Sequence, residues 1–136
     1  MTIVAAVDKP EQSQKVLQEA KQLADAFDDS LQIVHVVAYD DTDLDIGVAA
    51  QETDDRMVTI AKDQVHEIVG DSVAEYEAVG LFGDEVAPEL LEYLEDVDVR
   101  YLVIGGRRRS PVGKALFGST AQKLLLNAEF PVVSVQ

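Results

Sequence analysis

The sequence predicts an α/β fold, an open parallel sheet with helices on both faces. Apolar periodicity alternates between strand-like and helix-like from one end of the chain to the other. The strand-like segments are close to continuous apolar runs, the pattern of strands covered on both faces. Size agrees: 136 residues, 47% of them hydrophobic, are enough for one core and few for two, so residues 1–136 are read as a single domain.

TIVAAV, from Thr2 to Val7, is the first strand. Asp8 followed by Glu11 forms a capping-box-like helix start, and as an N-cap alone Asp8 contributes about 1 kcal/mol. Val16, Leu17, Ala20, Ala24 and Phe27 then share one helical face. LQIVHVV, Leu31 to Val37, is the second strand and leads into the polar stretch AYDDTDLDIGVAAQET. A second helix turns Met57, Ile60, Ala61, Val65 and Ile68 inward, and a third strand is expected around Ser72 to Val79. Gly83 and Asp84 make the turn and cap of a third helix with Val86, Leu90, Leu94 and Val97 inward; Pro88 falls in its tolerant first turn. RYLVIG, Arg100 to Gly105, is apolar enough for the sheet centre. A short helix from about Ser119 to Ala128 and the strand FPVVSVQ complete the pattern.

Twenty-six acidic residues against eleven basic ones give a formal net charge of -15. A nucleic-acid backbone would be repelled, which excludes general affinity for DNA or RNA. The acids are interspersed with apolar residues, as on a hydrated carboxylate surface suited to strong salt, so a halophilic source is expected. Without cysteine there is no disulfide scaffold, thiolate metal site or thiol nucleophile. No apolar run reaches the length of a membrane span, and no basic residue precedes the N-terminal one. These features predict a soluble, cytoplasmic protein.

Charge is segregated along the chain. No acidic residue occurs between Val99 and Ala128, while Arg100, Arg107, Arg108, Arg109, Lys114 and Lys123 supply six of the eleven bases. This segment leaves the carboxyl end of the expected central strand, where open α/β sheets place ligand crevices, and re-enters a helix at Gly118-Ser119. A helix N-terminus presents free N–H groups and a favourable dipole to phosphate, and arginine adds planar bidentate donors. The segment is therefore a candidate anion site. It is not a Walker A loop, since Arg108 occupies the first glycine position and Ala115 follows Lys114. VDKPEQ after the first strand has no glycine and excludes the dinucleotide pattern GxGxxG.

Gly105, two residues, Arg108, nine residues and then Gly118-Ser119 resemble the signature G-x2-G-x9-G-[ST] of the nucleotide-binding branch of the universal stress protein family. VAAVD, the HV of VHVV, Gly83-Asp84, LVIGG, FGS and PVVSV agree with it in order and spacing across nearly the whole chain. The resemblance implies a five-stranded parallel sheet of order 3-2-1-4-5. It also implies ATP, or ADP or AMP, held with Mg2+ at the strand carboxyl ends. Carried over by position, Ala6, Val7 and Asp8 line the adenosine end, with the Val36 backbone at the adenine edge. Ile104, Gly105 and Arg107 face ribose and phosphates, and Gly118, Ser119 and Thr120 present N–H and hydroxyl groups to the phosphates. Arg108 departs from the motif glycine. A side chain there either obstructs close backbone approach and a positive φ, or supplies a guanidinium in place of a backbone contact.

The resemblance further implies a homodimer, for which the terminal strand FPVVSVQ is a plausible contact. Asp41, Asp43, Asp45 and Glu52 match positions 1, 3, 5 and 12 of a calcium loop, but Gly47 falls at the seventh position and a strand precedes it. The stretch is read as an acidic loop near the crevice instead. His35 and His66 are isolated and read as structural or surface residues. No nucleophile–base pair can be assembled from the sequence, so the expected role is a stress-response binding or signalling module. Two other readings stay open: a nucleotide-free dimer using the arginines to hold an acidic partner, and a slow ATPase.

Overall fold

Period-two alternation decides how the first strand is used. Ile3 and Ala5 enter one apolar cluster and Val4 the other, so the strand is covered on both faces. The computed structural model describes residues 1–38, 50–105, 107–109 and 115–136, with residues 50–53, 107–109 and 115–117 described by their backbone alone. In chain order the elements are β1 (Thr2–Ala6), α1 (Pro10–Phe27), β2 (Ser30–Ala38), α2 (Ala50–Val69), β3 (Glu77–Gly83) and α3 (Val86–Leu94). They continue with β4 (Val99–Gly105), β5 (Arg107–Arg109), β6 (Ala115–Phe117), α4 (Ser119–Asn127) and β7 (Val132–Val135). The main sheet has five strands in the order β3-β2-β1-β4-β7, all parallel, which is the expected order with β7 as its fifth strand.

Helices cover both faces. Val16, Leu17 and Ala20 of α1 join Val65, Ile68 and Val69 of α2 over Ile3, Ile33 and Val103. On the other face Leu90 and Leu94 of α3 and Leu124 of α4 pack on Val4, Val34 and Leu102. Each such side chain, fully buried, contributes roughly 1.5–3 kcal/mol.

The structure corrects several expectations. The third strand runs over Glu77–Gly83 rather than Ser72 to Val79. Val73 is buried and Tyr76 packs against the core, yet both lie in a connection between helix and strand. GLFG, beyond the expected end of the strand at Val79, lies inside it, and Gly80 is where α2 meets it. A Cβ at Gly80 would fall 2.3 Å from the Val58 carbonyl oxygen and 2.4 Å from the Lys62 nitrogen. The helix backbone thus rests directly on the strand, an arrangement that glycine permits. Ile60, expected inside, is 38% exposed. Residue Glu85, without a side-chain cap bond, precedes α3 in place of the expected Gly83-Asp84 cap, and Val97 lies beyond the helix. Arg107 to Arg109, read as loop, form a short antiparallel pair with Ala115 to Phe117, with Arg108 opposite Leu116.

Phe27 is also exposed, at 42%, because it serves a cluster at the amino ends of the strands. The Arg100 guanidinium lies 4.4 Å from the Phe27 ring centroid, and Phe27 tilts against Tyr101 at 5.8 Å. The same guanidinium donates to the Asp29 carboxylate, whose side chain is almost wholly covered. Arg100 thereby holds the Asp29 carboxyl below its ordinary value.

Two outcomes follow for stability. Gly80→Ala must push α2 off β3, and should lower unfolding free energy by about 1–3 kcal/mol in urea titration. The pair contributes stability above the unfolded-state Asp value of about 3.9 and loses it as pH falls through the lower folded value. Asp29→Asn should therefore lower Tm at neutral pH, with the deficit closing as pH falls from about 5 through the lowered folded value in thermal scans.

Candidate functional site: a crevice at the sheet's carboxyl edge

Adjacent strands β1 and β4 send the chain to opposite faces of the sheet. After β1 the chain enters α1 on one face, and beyond β4 it reaches α4 on the other. Connections that leave for opposite faces open the sheet above the two strand ends, the switch point of such folds. A crevice of about 640 Å3 lies there. Its size falls within the range of small-molecule sites.

Each wall has its own chemistry. Val34 and Val36 of β2 with Val86 and Leu90 of α3 make an apolar end. Ala6, Val7 and Asp8 form the floor beside Ile104 and Gly105. Glu11, Gln12 and Lys15 line it from the first turns of α1, Gly118, Ser119 and Thr120 from the start of α4, and Val135 and Gln136 from beside β4.

The turn from β1 into α1 is built differently from the expected capping box. Pro10 opens the helix, Lys9 precedes it, and no side chain caps it. The Asp8 carboxylate is left exposed at the crevice. Bracing comes instead from Ser13, whose hydroxyl accepts from the Asp8 N–H at 3.3 Å and donates to the Lys9 carbonyl at 2.7 Å. One residue back, the Val7 N–H donates to the Val34 carbonyl at 2.9 Å, and His35 Nδ1–H donates to the Val7 carbonyl at 2.9 Å. Ser13 and His35 are the two polar residues buried as whole residues among those described, and both hold this one turn. His66, by contrast, is exposed and bonded to the Tyr76 hydroxyl at 2.7 Å.

The start of α4 is open. Gly118 precedes it with no side-chain cap, and no acidic residue occupies the first turn, so the first N–H groups and the positive end of the dipole are free. The two motif glycines differ in what they do for the fold. At Gly105 a Cβ would meet Val16 Cγ2 at 3.3 Å, so its absence lets α1 pack closely over the strand end. At Gly118 a Cβ would meet nothing within 4 Å, and φ is -65°, open to any residue. Behind the apolar wall, Lys123 of α4 bridges to Glu85 before α3 at 2.8 Å.

Of the residues singled out in the sequence, Ala6, Val7, Asp8, Val36, Ile104, Gly105, Gly118, Ser119 and Thr120 all line the crevice. Arg107 and Arg108 lie on the short strand β5, which follows Gly105 after one residue. The extended backbone there suits arginine, so position 108 does not demand a glycine. Glu11, Gln12 and Lys15 were not foreseen. Their signal is helical spacing from Asp8, which brings the first turns of α1 over the end of β1. Asp41, Asp43 and Asp45 lie outside the described residues, as does the side chain of Glu52. Among the described residues no group of three or more His, Asp or Glu side chains is placed to hold a metal, and no helix is long and apolar enough to cross a membrane.

A model of the universal stress protein family matches residues 1–136. A protein of Mycolicibacterium smegmatis described as a universal stress protein is 41% identical over 76 residues, covering 54% of this chain and 58% of that protein. Among solved structures, a universal stress protein from Archaeoglobus fulgidus has a TM-score of 0.74 at 28% identity, covering 100% of this chain and 98% of its own. A structure of the universal stress protein from Archaeoglobus fulgidus in complex with dAMP has a TM-score of 0.66 at 24% identity, with 100% and 98% covered.

The bracing of the first turn is testable. Ser13→Ala leaves the Asp8 N–H without its partner and should cost about 1–2 kcal/mol in urea unfolding. Amide exchange at Asp8 should accelerate more than at the centre of β2.

Proposed function

Since the chain belongs to the universal stress protein family, we propose that its crevice binds an adenine nucleotide, ATP or its relatives ADP and AMP. The protein then acts as a cytoplasmic, stress-responsive binding or signalling module. The observation that carries this reading is the meeting, in one crevice, of an apolar slot and an uncapped helix N-terminus. Adenine fits between Val36 and Leu90, where apolar walls replace its hydration, and phosphate fits against the N–H groups after Gly118. Asp8, not engaged in capping, is free to accept from ribose hydroxyls. The Arg107 and Arg108 side chains would add guanidinium charge from the adjoining strand. The dAMP complex of the Archaeoglobus fulgidus protein supports the same class of ligand.

Mg2+ fits this donor set only as a companion of the phosphates. Asp8 and Glu11 offer one or two carboxylates at the rim, and such an ion keeps its other positions for water and phosphate oxygens. Any hydrolysis of ATP would be slow or partner-dependent. The reading includes a single domain over residues 1–136 and a homodimer. Strand β7 ends the sheet and its residues Val132 to Val135 are half-covered, so a second copy would satisfy that edge. The acidic surface would keep such a dimer soluble in strong salt.

Protein purified in high salt and then denatured should release an adenine nucleotide identifiable by chromatography. The emptied protein should give saturable heats with ATP, ADP or AMP. No bound nucleotide and no heat with Mg2+ present would overturn the reading and direct attention to an acidic partner for the arginine strand. Gly118→Val should weaken binding by at least about tenfold, roughly 1.4 kcal/mol, with Tm unchanged. Its side chain would enter open space that a ligand needs and the fold does not.

A further inference from the structure

The crevice holds one more feature for which the nucleotide reading does not account. Among the described residues that line it, the charged side chains are Asp8, Glu11 and Lys15. Two carboxylates face a space that a phosphate must enter, and Lys15 is the single described cation there to offset them. Of the described lysines, Lys21 and Lys123 have acidic partners, while exposed Lys9 and Lys62 do not. Lys15 has none among the described residues. Glu11 stands one helical turn before it, in the order that best favours an i,i+4 pair, and the pair is not made.

Position adds to this. Lys15 lines the crevice from α1, while the apolar slot is made by Val34 and Val36 of β2 and Val86 and Leu90 of α3. The helix carrying Lys15 packs over Gly105, whose missing Cβ lets Val16 come close. A ligand with its base in the slot and its phosphate at Gly118 would place its anionic end in a crevice that Lys15 also lines.

We propose that Lys15 is the specificity-determining cation of the crevice, which grips the phosphate from the α1 side and makes the site favour a nucleotide over the nucleoside. The proposal rests on the nucleotide reading above. Free Lys15 and the amides at the start of α4 hold the anion from opposite walls, so each additional phosphate charge strengthens binding through Lys15. The lysine is exposed and belongs to neither apolar cluster, so its replacement leaves the core intact.

Calorimetry on the full chain with AMP, ATP and adenosine separates the outcomes. Lys15→Gln should lose roughly tenfold in affinity for AMP and at least as much for ATP, with adenosine unchanged. Lys62→Gln, which removes the same charge from exposed α2 outside the crevice, should bind AMP as the unaltered protein does. Equal losses for AMP and adenosine, an unchanged AMP affinity in Lys15→Gln, or the same loss in Lys62→Gln would each overturn the role given to Lys15 while leaving nucleotide binding in place. If the unaltered protein binds none of the three, the nucleotide reading itself fails, and the role of Lys15 with it.

Discussion

The two innermost chain crossings set everything else. Because β1 and β4 are neighbours whose connections leave for opposite faces, the sheet must part above them, and the crevice is the space this leaves. Backbone groups at such an edge have no ladder partners beyond the last strand residue. The protein meets that need with two side chains buried for the purpose. His35 reaches across from β2 and Ser13 reaches back from α1, and between them they fix the carbonyls and amide of Val7, Asp8 and Lys9. Buried polar groups are stabilising only when satisfied, and these two are satisfied by the segment that forms the crevice floor.

Electrostatics works against the site everywhere except within it. A net charge of -15 repels anions at long range, and salt shortens that repulsion to a few ångströms. Close contacts, in contrast, are little screened. A short-range arrangement of helix amides, one lysine and a neighbouring arginine strand can therefore attract an anion that the surface as a whole rejects. The same short-range logic operates at the other end of the sheet, where Arg100 settles Asp29 against Phe27 and Tyr101.

The sequence carried the layered architecture well, because parallel strands covered on both faces leave a continuous apolar imprint. It carried much of the crevice too. Residues at the ends of several strands and at Gly118 converge simply because a parallel sheet puts every carboxyl end on one rim. What could not be read were features set by partners distant in the chain. Gly80 falls beyond the expected strand until α2 is placed upon it, and Phe27 looks like core until Arg100 arrives from β4. Asp8 looks like a cap until Ser13 takes over the bracing of the turn. Lys15 carries only the helical spacing that follows Asp8, and its place in the crevice depends on how that turn delivers α1.

The pairing of β1 with β4 joins Thr2 to Val99, and Thr2 also pairs with Ser30. One neighbour of the first strand is thus made early and the other only when most of the chain exists. At synthesis rates of about 5–20 residues per second, β1 waits several seconds with one edge open. The central pairing closes a contact of long sequence separation, the kind that slows folding. The crevice cannot exist before it. A newly made chain therefore has no crevice until β4 exists and has paired, and any stabilisation that a ligand brings acts on the paired sheet rather than on its assembly.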